Sequence, residues 1–215
     1  MRSRHADDFN HDDDAPYYDT DVADETQPVR AGYRSVLKWI GDSVAPGSTV
    51  LDLGSGTGNT ILALPADCHV TAVDVSRHMT DRARAKLRDR SVDYHIQDVL
   101  EFVDCSSLEQ YDAVVSTYAL HHLMPGERRD LFALLHARTK DAVQILVGDL
   151  MYKDEPDRAR ILAKYSKAHP DVAEGFDEEF YWAVDETTRD LSRIGWVTTW
   201  KRFSDLSWAV GMEKR

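Results

Sequence analysis

Residues 50–60 read VLDLGSGTGNT, and this stretch decides the fold of the chain. A short apolar run carries an acid near its end, glycines alternate at Gly54, Gly56 and Gly58, and a segment with helical character follows. Glycines in such a loop let a ligand approach the backbone closely. The stretch therefore predicts a strand, a ligand-binding glycine loop and a helix.

The spacing of the glycines narrows the class of ligand. A dinucleotide-binding loop has the pattern G-x-G-x-x-G, whereas this loop reads G-x-G-x-G and carries Asn59 where the third glycine would stand. The Lys-Ser or Lys-Thr pair of a phosphate-binding loop is also missing, so neither NAD nor a nucleoside triphosphate is expected. Asp52, just before the loop, suits a ligand that carries a cation such as an α-ammonium group.

Outward from the loop, short apolar runs alternate with segments of helical character. The runs cover residues 49–53, 69–73, 92–96, 113–116 and 142–147. Continuous apolar strands between helices are typical of a parallel sheet covered on both faces. Residues 197–203 and 207–213 read as two more strands in a hairpin. We predict an α/β fold with a Rossmann-like, doubly wound, seven-stranded sheet, mostly parallel and closed by a C-terminal antiparallel hairpin.

Helical spacing and capping signals predict helices over residues 28–43, 156–168 and 185–194. Residues 169–182 mix turn signals with aromatics and are interpreted as an insertion over the sheet. No internal repeat is visible, and residues 26–215 are expected to form one domain.

The first 25 residues form an acidic arm that carries −7 of the net charge of −12. A charged run without periodicity is normally a solvated, mobile tail. Tyr17 and Tyr18, beside Ala15 and Pro16, favour a second interpretation, in which part of the arm folds over the domain as a lid.

Two further acids follow the strands that neighbour the glycine loop. Asp74 ends the second strand, where a carboxylate can accept both hydroxyls of a ribose, with Val75 beside it. Asp98 follows the third strand and can accept from an adenine amino group, while Met79 and Val99 cover the ring. The alternatives are that Asp74 caps the next helix and that Asp98 is an ordinary loop acid.

Together these motifs resemble the class I S-adenosylmethionine-dependent methyltransferases over roughly residues 26–215. The segments VVSTYALHHL at 114–123 and SWAVGMEKR at 207–215, with the A-x-x-YD pattern that begins at Ala15, resemble the YrrT-like group of bacterial methyltransferases. The chain departs from the family pattern at residues 137–142, which read ARTKDA where the family commonly has a Pro-Gly-Gly turn. This difference alters an outer loop and not the cofactor cleft.

The resemblance implies S-adenosylmethionine as the cofactor. It implies that Asp52, Gly54 and Gly56 lie near the methionine part, Asp74 on the ribose and Asp98 on the adenine. We add Gly58 and Ser116 to the expected cofactor-binding set.

Residues after the fourth strand are the candidates for catalysis. Methyl transfer needs orientation and a dry site, and it needs a general base only if the acceptor must lose a proton. The candidates are Ser116, Thr117, Tyr118, His121 and His122, and histidine titrates in the useful range. One of the histidines could instead order the loop by bonding to backbone. Asp149, which ends the fifth strand, either faces the acceptor or caps the helix after Lys153.

An aromatic set is expected either to cover the mouth of the cleft or to pack a cap helix, and Tyr18 is also a candidate for catalysis. The set contains Tyr17, Tyr18, Phe180, Tyr181 and Trp182. We predict no metal, because adjacent histidines ligate one ion together only with distortion and no H-x-E or H-x-x-x-H spacing occurs. His121, His122 and Asp149 are therefore not expected to form a metal site.

The net charge of −12 argues against nucleic-acid and anionic-membrane partners. The sequence has no long apolar run and no signal-peptide pattern, so we expect a soluble, cytoplasmic monomer or homodimer. The predicted function is methylation of a small molecule with release of S-adenosylhomocysteine. The alternatives are an attack within the cofactor that releases methylthioadenosine, and a non-catalytic cofactor-binding module.

Overall fold

The computed structural model describes residues 1–6, 8 and 12–215 of the chain. Asp7, Phe9, Asn10 and His11, which belong to the predicted acidic arm, lie outside the described residues. None of the helices in these ranges is both long and apolar enough to cross a membrane.

The core of the fold is a sheet whose strands run in the order β3-β2-β1-β4-β5-β8-β7. The bounds are β1 Thr49–Leu53, β2 His69–Asp74, β3 Ser91–Ile96, β4 Ala113–Thr117, β5 Gln144–Tyr152, β6 Trp182–Ala183, β7 Trp196–Arg202 and β8 Ser207–Lys214. The first five strands pair in parallel, and β8 lies antiparallel to both β5 and β7. The predicted fold class is confirmed. The two-residue strand β6, which pairs with the end of β5, was not predicted.

Helices cover both faces of the sheet. They are α1 Tyr18–Asp21, α2 Tyr33–Ser43, α3 Asn59–Ala63, α4 Arg77–Lys86, α5 Val99–Cys105, α6 Pro125–Arg138, α7 Glu155–Tyr165, α8 Pro170–Glu178 and α9 Val184–Ile194. One apolar core lies under α5, α6 and α9, and the other lies under α2, α3 and α4. Successive side chains of a strand point to opposite faces, so β1 contributes Leu51 and Leu53 to the first core and Val50 to the second.

Two helical segments differ from the sequence-based expectation. The helix expected from residue 28 begins at Tyr33, because Gly32 adopts a left-handed φ of 87° that ends the preceding turns. Residues 170–178, expected within an irregular insertion, form α8, which begins at Pro170. The insertion thus supplies a helix above the carboxyl end of β5.

The strand order creates a crevice in the middle of the sheet. From β1 the chain adds β2 and β3 on one side, and then it returns to add β4 and β5 on the other. In open α/β sheets, ligands bind outside the carboxyl ends of the strands at such a switch point. The glycine loop follows β1 directly and therefore lies in this crevice.

Gly148 in β5 packs directly against Val36 of α2. A Cβ at Gly148 would lie 2.0 Å from Cγ1 of Val36, whereas a Cβ at Gly211 in β8 would meet its nearest neighbours at 3.8 Å. We expect Gly148→Ala to lower the free energy of unfolding by about 1–3 kcal/mol through overpacking. Urea unfolding of the full chain measures this, with Gly211→Ala as the matched control.

A double variant distinguishes overpacking against Val36 from a general sensitivity of β5 to substitution. Val36→Ala removes the atom that the new methyl group would meet, so the double variant should lose less stability than the two single changes added together. Equal unfolding midpoints for Gly148→Ala and Gly211→Ala would contradict this account.

Candidate active site

A cavity of about 480 Å³ lies at the carboxyl ends of the parallel strands. This volume falls within the range of small-molecule sites in proteins.

The cavity is lined by many of the residues expected from the sequence: Tyr18, Gly54, Gly56, Asp74, Val75, Met79, Asp98, Val99, His121 and His122. Asp52, Gly58, Ser116 and Asp149 are not part of its wall, and each has a different position.

Gly56 and Asp74 join the glycine loop to β2. The amide of Gly56 donates to one carboxylate oxygen of Asp74 at 2.7 Å, and the amide of Ser76 donates to the other at 2.8 Å. Asp74 is not the cap of α4, because that position belongs to Ser76, whose hydroxyl accepts from the amide of Met79. The carboxylate of Asp74 therefore lies in the cavity wall and holds the loop in place.

The three glycines have different neighbours. Gly56 has φ 50°, and a Cβ there would meet nothing within 4 Å, so its position opens to the cavity. A Cβ at Gly54 would lie 2.3 Å from the Cβ of Ala119, and a Cβ at Gly58 would lie 2.6 Å from Leu87. Gly58 allows the loop to pack against the residues that end α4, and its contact with the cofactor stays a prediction.

Asp52 is fully buried beneath the loop. Neither of its carboxylate oxygens has a hydrogen-bond partner in the described ranges. Burial, with a smaller effect of the charge on Asp74, raises the pKa of Asp52 to about 8. A buried carboxylate without partners costs free energy, and a cation beside it would offset that cost.

Asp98 has two roles in the structure. It caps α5 by accepting from the amide of Glu101, and it accepts from both the amide and the hydroxyl of Ser3. Asp98 lines the cavity, as do Met79 and Val99. It is therefore more than an ordinary loop acid, because it also anchors the N-terminal arm.

The described part of the arm packs on the domain. Asp19 accepts from the hydroxyl of Thr57 at 2.6 Å and from Asn59 at 3.1 Å, and it lies 2.7 Å from the ammonium group of Lys86. Tyr18 lines the cavity, whereas Tyr17 is 68% exposed and points elsewhere. Of the two tyrosines expected in a lid, the structure brings only Tyr18 to the cleft.

His121 lies in a 3-10 helix, Leu120–His122, after β4, and its Nδ1 lies 2.5 Å from a carboxylate oxygen of Asp149. The same oxygen accepts from the amide of Leu150. Burial lowers the pKa of His121, but the charge and hydrogen bond of Asp149 outweigh burial, so the pKa is raised. Asp149 is fully buried behind the ring, and α7 is capped by Asp154 instead.

A second acidic group faces His121 from the insertion. Glu179 lies 3.8 Å from Nε2 of His121, and the ligand atoms of His121, His122 and Glu179 lie within 4.8 Å of one another. Asp149 is not part of this group. Glu179 was not singled out in the sequence, because nothing local to it indicates that it meets the fourth-strand loop. The absence of a bound metal stays a prediction.

Arg128 is a buried cation that sequence reasoning missed. Its guanidinium donates to the carbonyl oxygens of Leu120, Leu123 and Phe180 and lies 5.0 Å from the centre of the Trp182 ring. Burial lowers its pKa to about 10. Arg128 thus ties the loop that carries His121 to the segment that carries Phe180.

The remaining candidates of the fourth strand are structural neighbours of the cavity. The hydroxyl of Ser116 donates to the carbonyl of Leu53 at 2.7 Å, and that of Thr117 lies 2.5 Å from the hydroxyl of Thr60. Tyr118 does line the cavity, with a left-handed φ of 49°. Its hydroxyl donates to Ser207 at 2.8 Å, so the ring is held by the first residue of β8.

The insertion contributes one aromatic side chain to the cavity. Tyr181 lines it, whereas Trp182 is fully buried and packs against Phe132. Phe180 lies 5.8 Å from the ring of His5 in the arm. The expected aromatic lid is therefore reduced to Tyr18 and Tyr181 at the cavity itself.

Comparisons with known proteins indicate the family and the fold of the chain. The profile of a methyltransferase domain matches residues 50–142, from β1 to the residues before β5. An uncharacterized methyltransferase of Bacillus pumilus is 30% identical over 211 residues, which cover 94% of each chain. The uncharacterized methyltransferase YrrT of Halobacillus halophilus is 24% identical over 193 residues, covering 88% of this chain and 87% of its own.

A solved structure supports the fold. Magnesium protoporphyrin IX methyltransferase from Synechocystis, with bound S-adenosylmethionine, matches with a TM-score of 0.60 and 18% identity. The match covers 87% of this chain and 82% of that protein. At this identity the similarity is one of fold.

The raised pKa of Asp52 has a consequence for stability. In an unfolded chain an aspartate ionises near pH 4. Between about pH 4 and pH 8 the folded chain keeps a proton that the unfolded chain has lost, so this group makes stability fall as pH rises. We expect the free energy of unfolding of wild type, relative to Asp52→Asn, to fall by up to about 1.4 kcal/mol per pH unit in this window.

Urea unfolding at pH 5, 6, 7 and 8 measures the free energy of unfolding of wild type and of Asp52→Asn as a function of pH. All other titrating groups are shared by the two proteins, so their contributions cancel in the difference. If the free energies of unfolding of the two proteins changed equally with pH, Asp52 would ionise normally in the folded protein.

The variant Gly56→Ala tests whether the glycine loop binds the cofactor. Gly47→Ala is the control, because it introduces a similar backbone strain. Gly56 and Gly47 both have positive φ with open space around a new Cβ, but only Gly56 lines the cavity. Both alanine variants should lose about 1–2 kcal/mol of stability. Only Gly56→Ala should weaken S-adenosylhomocysteine binding, by roughly tenfold or more, measured by calorimetry. Unchanged affinity, or equal losses in both variants, would remove Gly56 from the binding site.

Proposed function

The chain belongs to the class I S-adenosylmethionine-dependent methyltransferases, and we propose that it methylates a small-molecule acceptor in the cytoplasm with His121 as general base. The observation that carries the proposal is the buried contact of His121 with Asp149 at the wall of the cavity. The cofactor of the family, S-adenosylmethionine, is the methyl donor.

The residues present fit this cofactor. Asp52 is a buried carboxylate without partners beneath the loop, and it would lie on the side of the ammonium group. Gly56 leaves open space where any other residue would place a side chain. Asp74 would hold the ribose, Asp98 would hold the adenine amino group, and Met79 and Val99 would cover the adenine ring. All of these residues except Asp52 line the cavity.

The bound cofactor supplies an electrophilic methyl group on a sulfonium, so the protein must orient the acceptor and exclude water. The aromatic side chains of Tyr18, Tyr118 and Tyr181 also line the cavity. Carboxylates in the same wall come from Asp21, Glu174, Glu178 and Glu179. Aromatic faces beside carboxylates suit a small apolar or cationic acceptor.

His121 is placed to take a proton from such an acceptor. Its Nδ1 donates to Asp149, which leaves Nε2 as the acceptor atom on the side of Glu179. Asp149 raises the pKa of the ring and fixes the tautomer, so Asp149 is a positioning residue. An acceptor with a hydroxyl or ammonium group would need this base, and a thiolate would not.

Incubation with methyl-labelled S-adenosylmethionine and a fractionated metabolite extract, followed by mass spectrometry, tests the function. The expected result is a labelled small molecule together with S-adenosylhomocysteine, in wild type and not in His121→Gln. The same incubation with EDTA should give the same product, because no metal is proposed.

Three results would overturn parts of the proposal. Methylthioadenosine formed without any acceptor would favour attack within the cofactor. Tight cofactor binding without labelled product in any fraction would favour a non-catalytic module. Full activity in His121→Gln would remove the general base.

The variant Asp149→Asn tests whether Asp149 positions His121 or only stabilises the fold. Loss of the carboxylate charge should lower the pKa of His121 and move the acidic limb of the pH–rate profile to lower pH, while the plateau falls by about 100-fold. The pKa is measured without an acceptor by NMR titration, with the His121 signal assigned by its loss in His121→Gln. Asp154→Asn, which removes the cap of α7, is the control and should leave this pKa unchanged. An unaltered His121 pKa in Asp149→Asn would contradict the assigned role.

A further inference from the structure

Glu179 places a second hydrogen-bond acceptor beside the proposed base. Its Oε2 lies 3.8 Å from Nε2 of His121, which is longer than a hydrogen bond. The Nδ1 atom of His121 donates to Asp149, so Nε2 of the neutral ring is an acceptor and cannot donate to Glu179. Two acceptors therefore lie side by side, and this position suits a group that donates to both of them.

The closeness of these two side chains is set by backbone contacts. The amide of Phe180, next to Glu179, donates to the carbonyl of His121 at 2.9 Å. The guanidinium of Arg128 donates to the carbonyls of both Phe180 and Leu120, so it holds the insertion against the loop that follows β4. The fold therefore keeps Glu179 beside His121.

The hydroxyl of Tyr181 meets Glu179 at the same point of the cavity wall. A Cβ at Gly175 would lie 2.3 Å from the hydroxyl oxygen of Tyr181 and 3.6 Å from Oε2 of Glu179. Burial raises the pKa of Tyr181, and the charge and hydrogen bond of Glu179 add to that rise. Neutral Tyr181 therefore donates to Glu179, which keeps its negative charge and further lone pairs for a ligand. Glu179, Tyr181 and His121 all line the cavity.

The chemistry of this position discriminates among methyl acceptors. A hydroxyl group has a single proton, so it can donate to His121 or to Glu179 but not to both. A carboxylate or a thiolate would bring a second negative charge next to Glu179, whose side chain is only 25% exposed. An ammonium group has up to three N–H donors and a positive charge, so it can donate to both side chains and pair with the carboxylate.

We propose that the acceptor is an amine and that Glu179 binds its ammonium group beside Nε2 of His121. The inference rests on the proposed function, because it takes His121 as the group that faces the acceptor. One N–H proton passes to Nε2, and the freed lone pair of the nitrogen attacks the methyl carbon of the cofactor. The carbon–sulfur bond breaks with its electron pair left on sulfur, which yields an N-methylammonium product and S-adenosylhomocysteine. His121 then releases the proton to solvent.

Calorimetry on the protein loaded with S-adenosylhomocysteine tests the inference without turnover. The probes are phenethylamine, 2-phenylethanol and phenylacetate, which share a ring and differ in the polar end, with hexylamine and 1-hexanol as an aliphatic pair. Wild type should bind each amine at least about tenfold more tightly than its alcohol, and it should bind phenylacetate least tightly. EDTA in every titration ensures that a metal ion held by His121, His122 and Glu179 does not contribute.

The variant Glu179→Gln removes the charge and keeps the size of the side chain. It should weaken binding of the amines by about tenfold or more and change that of the alcohols by less than about twofold. Glu186→Gln removes the same charge from an exposed position of α9 outside the cavity wall, so it is the matched control and should bind every probe as wild type does. Thermal unfolding without ligand checks that each variant is folded.

Two results of the binding experiment would overturn the inference. The first is equal affinity of wild type for the amines and their alcohols, or tighter binding of phenylacetate. The second is unchanged amine affinity in folded Glu179→Gln, which would leave Glu179 as an ion-pair partner of His121 only.

The product of the methylation assay gives an independent test. With a carbon-13 label on the methyl group of the cofactor, the chemical shift of the product distinguishes a methyl group on nitrogen from one on oxygen, sulfur or carbon. A methyl group on nitrogen is expected, and one on any other atom would overturn the inference while the proposed function stands. Failure of wild type to methylate anything would overturn the proposed function, and the binding results would still decide whether the site takes an ammonium group.

Discussion

Parallel pairing of β1 with β2 on one side and with β4 on the other is the constraint on which the site depends. Asp52 aligns with Ala72 in one neighbour and with Val115 in the other, so the three strands end at nearly the same level. The loops that follow them must therefore meet above one edge of the sheet. The hydrogen bond from Gly56 to Asp74 joins two of these loops directly.

The pairing of β4 with β5 extends the same constraint to the proposed base. Thr117 aligns with Gly148, so His121, which follows the end of β4, and Asp149, which lies within β5 rather than at its end, come from neighbouring strands. The pairing of β4 with β5 is enough to bring His121 and Asp149 together. The rigid sheet holds Asp149 in place, and the backbone amide of Leu150 also fixes its carboxylate. The histidine is thus oriented by a fully buried carboxylate of the sheet.

The features that could be predicted are those that depend on local pattern. Strand positions follow from apolar runs, and the acids Asp74 and Asp98 follow from their places after strands. Arg128 and Glu179 could not be found in this way, because their importance arises only when α6 and the insertion meet the loop after β4. The contact of Ser3 with Asp98 joins positions that are distant in the chain, and no spacing rule indicates it.

Tyr118 shows how selection for heat resistance would act on this fold. Its φ of 49° costs a non-glycine residue about 1–2 kcal/mol, and glycine would adopt the same backbone without that cost. A glycine would also lose the hydroxyl that donates to Ser207 and the ring that borders the cavity. Screening variants for melting temperature alone would therefore reward relief of backbone strain while eroding the pocket. Laboratory evolution of this protein should score ligand recognition and thermal tolerance together at this position.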